Sequence, residues 1–191
     1  MLTIIEAVLN SNQLDIAHRI IAEGKFIDGR SSAGMAAERV KHNEELALSE
    51  QQFRDLNNLL MGSLVKHPVY RSAAMPLRVA APYYARYTPG MSYGLHVDDP
   101  LMGQGDIYRS DVSATIFLNP PETYDGGELV IQTPFGDQKV KLAAGDAVIY
   151  PSSSIHRVAQ VTRGERLVAI TWIQSMVRSP DRRALLHELN Q

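Results

Sequence analysis

Apolar residues recur along this chain with two different spacings. In the first 76 residues the spacing is helical. Leu14, Ala17, Ile20 and Ile21 share one face of a helix that Ser11 or Asn12 can cap and Gly24 can end. Phe53, Leu56, Leu60 and Leu64 define a second helix, opened by the capping-box pair Ser49 and Gln52 and followed by Pro68. Between them, Gly29 to Gly34 is rich in Ser and Gly and predicts a turn or loop. From Leu77 the spacing shortens to two. Strands are expected near 77–87, 91–98, 111–118, 127–133, 137–142, 146–150, 155–161 and 166–174. Asp125-Gly126-Gly127 and Ala144-Gly145-Asp146 mark tight turns between them. Ser179 caps a last helix with Pro180 at its first position, running through Leu185, Leu186 and Leu189.

The fold class this predicts is α+β and mainly β. About eight short strands separated by turn signals suit a sandwich or jelly roll. Residues 1–76 form an N-terminal helical support, 77–178 the β-rich body and 179–191 a short C-terminal helix. Two helices are too few for a core of their own, so they are expected to pack on the sheet within one domain. A length of 191 residues with 45% hydrophobic content is enough to bury one core.

Composition removes several functions. There is no cysteine, so any metal must sit on His, Asp, Glu, backbone or water. A net charge of -2 argues against a nucleic-acid surface. The segment Met1 to Glu6 lacks the basic and apolar blocks of a signal peptide, and no apolar run is long enough to span a bilayer. A soluble, cytoplasmic protein without a membrane partner is the expectation.

The chemistry concentrates on His96-Val97-Asp98. Positions i and i+2 of a strand point to one face, so one strand can offer two ligands to one metal. A separate strand would bring His156, completing the two-imidazole, one-carboxylate triad of non-haem Fe(II) sites. Arg166 follows ten positions later, a cation suited to an anionic co-substrate. Taken singly these signals are weak. Asp98-Asp99-Pro100 alone reads as a solvated turn, and a lone His156 as a polar residue at a strand edge. The ordered set raises the metal reading above them. His18, His42, His67 and His187 read as surface or packing residues, and Trp172 as core or pocket wall.

The stretch Tyr83–Ser175 resembles the Fe(II)- and 2-oxoglutarate-dependent dioxygenases of the prolyl 4-hydroxylase type, and most closely the bacterial PKHD-type hydroxylases. The resemblance is carried by Arg86-Tyr87, His96-Val97-Asp98, Ser113 to Leu118, Tyr124 to Ile131, Val148 to Val158, Val161 to Arg166 and Trp172 to Arg178, with Asp28-Gly29-Arg30 and Val40 to Asn43 earlier in the chain. It implies a double-stranded β-helix (jelly roll) closed around Fe(II), held by His96, Asp98 and His156. It implies 2-oxoglutarate and O₂ as co-substrates, and it leaves room for L-ascorbate. Arg166 is similar to the residue that grips the far carboxylate of 2-oxoglutarate, a task for which a guanidinium fork is suited. Tyr87 is similar to the tyrosine that assists it, and reads equally well as a core aromatic. Arg163, the competing arginine, falls in a turn. The implied reaction hydroxylates an unactivated C–H bond and releases succinate and CO₂. Related halogenases lack the carboxylate that Asp98 supplies. The primary substrate is a small molecule, amino acid or peptide, prolyl or peptidyl by analogy, and a homodimer stays open.

Two other functions are open at this stage. One is a cupin-like enzyme or zinc hydrolase, since zinc also accepts two His and a carboxylate. The other is a non-catalytic jelly roll that binds a small ligand.

Overall fold

The computed structural model describes residues 1–32, 38–103 and 105–190. Two antiparallel sheets face each other, and helices cover the outer side of the larger one. The larger sheet contains β1 (Thr3–Ile5), β14 (Ala147–Pro151), β10 (Val112–Phe117), β17 (Arg166–Ser175), β6 (Tyr83–Tyr87), β4 (Glu44–Ala47) and β2 (Lys25–Asp28), in that order, and β5 (Pro76–Val79) also pairs with β17. The smaller sheet runs β13 (Gly136–Val140), β12 (Leu129–Thr133), β15 (His156–Val158), β7 (Ser92–His96) and β3 (Lys41–His42). Two further pairs, β8 (Leu101–Met102) with β9 (Tyr108–Arg109) and β11 (Asp125–Gly126) with β16 (Val161–Arg163), lie at the margins.

Alternation along the central strands divides the core in two. On β10, Val112, Ala114 and Ile116 point to the helices, and on β17 so do Leu167, Ala169 and Ile173. They meet Leu56, Leu60 and Leu64 of α2 (Glu50–Leu64), Ala17 and Ile21 of α1 (Ser11–Ala22), and Tyr70 of α3 (Pro68–Ala74). Each fully buried leucine there stabilises the fold by about 1.5–3 kcal/mol. The opposite face carries Phe117, Val148, Tyr150 and Val168, which pack between the sheets against Leu129, Ile131, Val140 and Val158. By the same alternation Ser113, Thr115 and Arg166 point into that inner space. Polar side chains there, on β10, which is buried from end to end, and at the buried start of β17, locate the site.

Several expected elements take a different form. The capping box of α1 is built from Asn10 and Gln13, one residue before the expected cap, whereas Ser49 and Gln52 cap α2 as their spacing predicts. The first part is not purely helical: β1, β2 and β4 extend the large sheet, β3 extends the small one, and Pro68 opens the separate short helix α3. The strand expected over 77–87 is broken into β5 and β6 around Pro82, which has no N–H to give to the ladder. In α4 (Pro180–Glu188) the buried residues are Arg183 and His187, while Leu185, Leu186 and Leu189 are exposed. Gly29–Ser32 forms a 3-10 turn, and the rest of the loop expected to Gly34 lies outside the described residues. No helix among the described residues is long and apolar enough to cross a membrane.

The Asp125-Gly126-Gly127 turn is tightly constrained. Gly126 has φ +72°, and a Cβ there would lie 2.0 Å from the Gln160 carbonyl oxygen. Gly126→Ala is expected to cost about 2 kcal/mol or more, from backbone strain plus the clash. Urea denaturation measures this, and an unchanged midpoint would show that the turn can yield.

Candidate metal centre and anion pocket

Neighbouring strands of the smaller sheet bring His96 and His156 together, and Asp98 joins them from the loop after β7. The ligand atoms of all three lie within 4.8 Å of one another, the one such group found among the described residues. His96 ends β7 and His156 begins β15, and these strands pair with the two histidines opposite each other. Asp98 follows two residues after His96. Its Oδ1 is 3.9 Å from His96 Nε2 and 3.8 Å from His156 Nε2. These distances are too long for hydrogen bonds, yet a single ion with bonds of about 2 Å can reach all three atoms.

The tautomers follow from the partners. His96 Nδ1 is 2.8 Å from the Gly94 carbonyl oxygen, and His156 Nδ1 is 3.0 Å from that of Ser154. A carbonyl can only accept, so both Nδ1 atoms carry the proton and both Nε2 lone pairs face the carboxylate. The ring of Tyr93 stacks on His96 with centroids 3.7 Å apart, and Tyr150 meets His156 edge-on at 5.1 Å. Burial, assisted by the neighbouring His156 imidazole, pulls the His96 pKa down from 6.5 to about 4. The ring is therefore neutral at pH 7 and ready to bind metal.

That shift has a consequence for the metal-free protein. Between pH 4 and 6.5 the unfolded chain binds a proton that native His96 refuses. Stability therefore rises with pH across this window and declines as pH falls through it. Denaturation midpoints at pH 5 and pH 7, with chelator present, check the sign; a higher midpoint at pH 5 would reverse it.

Arg166 stands at the start of β17, opposite Tyr87 of β6. It is 1% exposed, and its Nε and Nη1 have no hydrogen-bond partner among the described residues. No carboxylate pairs with it there either. Its guanidinium carbon lies 5.1 Å from the Tyr87 ring centre and 5.6 Å from that of Phe117. The Tyr124 hydroxyl is also buried without a partner, and the Tyr87 hydroxyl has Asn43 beside it. Burial pushes the Tyr87 hydroxyl up to about 12, so it remains a neutral donor. Gly127 makes room for this group: a Cβ there would come within 3.0 Å of both Arg166 Cδ and Tyr124 Cε2. A buried cation with unpaired donors is costly, and it fits an anionic ligand with several acceptor oxygens. Tyr150 lies close enough to feel the charges of both Asp98 and Arg166, which places the pocket beside the triad.

The donor set therefore suits both groups of the expected chemistry: an open face of two imidazoles and one carboxylate for a divalent metal, and a buried guanidinium for a carboxylate. Arg163 is elsewhere, at the surface, paired with Asp125. Sequence reasoning assigned no role to Ser113, Ser152, Tyr93 or Tyr124. For Ser113 the signal was available as a polar residue at an inward position of a fully buried strand.

Residues 82–174 match the 2OG-Fe(II) oxygenase superfamily. A PKHD-type hydroxylase from Thioalkalivibrio sulfidiphilus is 54% identical over all of this chain and 86% of its own length. One from Nitrosomonas europaea is 45% identical, with the same coverage. In three dimensions, a Pseudomonas putida prolyl-4-hydroxylase superposes with a TM-score of 0.61 at 20% identity, covering 91% of this chain and 92% of that one. A Trichoplax adhaerens prolyl hydroxylase in complex with a hypoxia inducible factor peptide fragment gives 0.69 at 16% identity, covering 96% and 86%.

Proposed function

The chain belongs to the PKHD-type hydroxylases of the 2OG-Fe(II) oxygenase superfamily, and from that premise we propose that His96, Asp98 and His156 hold its Fe(II) while Arg166 and Tyr87 hold its 2-oxoglutarate. The observation that carries this assignment is the buried, unpaired guanidinium of Arg166 beside three convergent ligand atoms. Family membership decides against the zinc hydrolase, the cupin and the non-catalytic module.

When bound, Fe(II) and 2-oxoglutarate supply the oxidising chemistry, with O₂ consumed, succinate and CO₂ released and a substrate C–H bond hydroxylated. The chain's own part is positioning. The carbonyls of Gly94 and Ser154 fix both imidazoles in the tautomer that presents Nε2. The stacked Tyr93 restrains the His96 ring. Arg166 neutralises the far carboxylate and donates to it, and Tyr87 adds a hydroxyl donor. Phe117, Val148 and Val168 keep water away from the inner face, which strengthens each of these interactions.

The body over 77–178 is the catalytic jelly roll in this account, with 1–76 and 179–191 supporting it. Its substrate is a prolyl, peptidyl or amino-acid-like compound. The prolyl hydroxylases among its structural neighbours support that class. So does Trp172, opposite Ser113 in the β10–β17 register, which meets the exposed Tyr83 edge-on at 5.8 Å and has a buried Nε1 donor without a partner. The test is a succinate-coupled screen of amino acids, peptides and siderophore-like compounds. A hit gives a product one oxygen atom heavier. Succinate formation equal with and without O₂ would refute the oxygenase assignment.

A further inference from the structure

The carboxylate of Asp98 is held from behind. Ser113, on the inner face of β10, donates its hydroxyl proton to Asp98 Oδ2. Ser113 Oγ also lies 2.8 Å from Ser152 Oγ. A hydroxyl has one proton. With that of Ser113 committed to the carboxylate, the Ser113 oxygen accepts from Ser152. Both serines are buried.

Ser152 is itself fixed independently of the triad. Its N–H donates to the Asp111 carbonyl oxygen at 3.3 Å, and Arg183 Nη2 donates to the same oxygen at 3.1 Å. The Asp111 carboxylate accepts from the Ser175 N–H at 2.9 Å and from Arg109. The turn carrying Ser152 also carries Ser154, whose carbonyl orients His156. One short segment after β14 thus supports two of the three ligand side chains.

We propose that Ser113, backed by Ser152, is a positioning residue that keeps Asp98 bound to the metal through Oδ1 alone, an inference that rests on the triad assignment above. A carboxylate can bind a metal through one oxygen or through both. Two imidazoles and one carboxylate oxygen leave about three of six octahedral positions open. A chelating co-substrate uses two of them and O₂ needs the third. If Oδ2 swung onto the metal, that third position would close. A hydrogen bond to an ionised carboxylate is stronger than one between neutral groups, so Ser113 is suited to hold Oδ2 back.

The number of open positions can be counted without turnover. Mn(II) suits carboxylate and water ligands, and bound Mn(II) relaxes water protons in proportion to the waters it carries. Mn(II) alone is titrated into the full chain and into Ser113→Ala, Ser113→Thr and Ser152→Ala, with circular dichroism to establish folding. Ser113→Ala is expected to retain Mn(II) but to lose roughly a third of the relaxation enhancement per bound ion, as three open positions become two. Ser113→Thr keeps the hydroxyl and should match the unsubstituted protein, while Ser152→Ala should fall between. If Ser113→Ala does not fold, Ser152→Ala carries the test. Retained Mn(II) with unchanged enhancement in Ser113→Ala, or in Ser152→Ala where that is the variant that folds, would overturn the proposal that this serine pair holds Asp98 to one oxygen. Failure of the unsubstituted protein to bind Mn(II) would overturn the triad assignment and this inference with it.

Discussion

Asp98→Ala is expected to lower succinate formation by about 10³-fold or more, the scale on which one member of a jointly acting set is missed. Three ligand atoms converge within 4.8 Å, and Asp98 supplies the only anionic one. Its loss removes both a bond and the charge that offsets the cation. It also leaves Ser113 Oγ, buried in β10, without its acceptor. Iron content after desalting should drop with activity. His156→Ala should behave alike, because its ring occupies the other strand of the β7–β15 pair. Full activity in a folded, metal-retaining Asp98→Ala protein would remove Asp98 from the site.

Arg166→Met should separate function from stability. Truncating one partner of a buried charge pair costs about 2 kcal/mol or more, so the 2-oxoglutarate concentration at half saturation should rise roughly 30-fold or more. Without ligand, however, the guanidinium is buried beside Tyr87 and Phe117 with no carboxylate paired to it among the described residues. A methionine of similar length removes that desolvation cost. The metal-free variant should therefore be more stable than the unsubstituted protein by about 1 kcal/mol or more. Titration of 2-oxoglutarate and a urea melt measure the two effects. A variant that is both destabilised and unimpaired in 2-oxoglutarate binding would make Arg166 a structural residue.

The parts of the fold that were legible in the sequence are those written in local chemistry. Ser49 and Gln52 cap α2 because the box is a short-range contact between a hydroxyl, an amide side chain and two backbone N–H groups. The strict alternation of Val112, Ala114 and Ile116 with Ser113, Thr115 and Phe117 gave β10 and both of its faces. The N-terminal strands were not legible. β1 has three residues and β3 two, too few for any period to register, and they exist through pairing with distant partners, Ile4 with Val148 and Lys41 with Tyr93. In α4 the leucines that mark the helix are exposed, and the buried face was not legible. Arg183 is buried because it donates to the carbonyls of Val177, Arg178 and Asp111, which no hydrophobic spacing records.

The site divides in the same way. His96 and Asp98 were legible as a closely spaced pair, but β7 ends at His96 and Asp98 lies in the loop beyond it, so the expected strand alternation over 91–98 is not what aligns them. His156 and Arg166 gained weight from their order along the chain. The residues that restrain them were not legible, since Ser113 reaches Ser152 across 39 positions and Tyr93 is one aromatic among many until its ring is found on His96. Supporting contacts belong to the tertiary fold, and only the fold reveals which serine or tyrosine makes them.

The most direct measurement is anaerobic addition of 2-oxoglutarate to the Fe(II)-loaded protein, followed by visible absorption. A charge-transfer band should appear on saturation in the unsubstituted protein, need far more 2-oxoglutarate in Arg166→Met and be absent in Asp98→Ala. Bound Fe(II) with no band at saturating 2-oxoglutarate would contradict the assignment of His96, Asp98, His156 and Arg166 as one metal and co-substrate site.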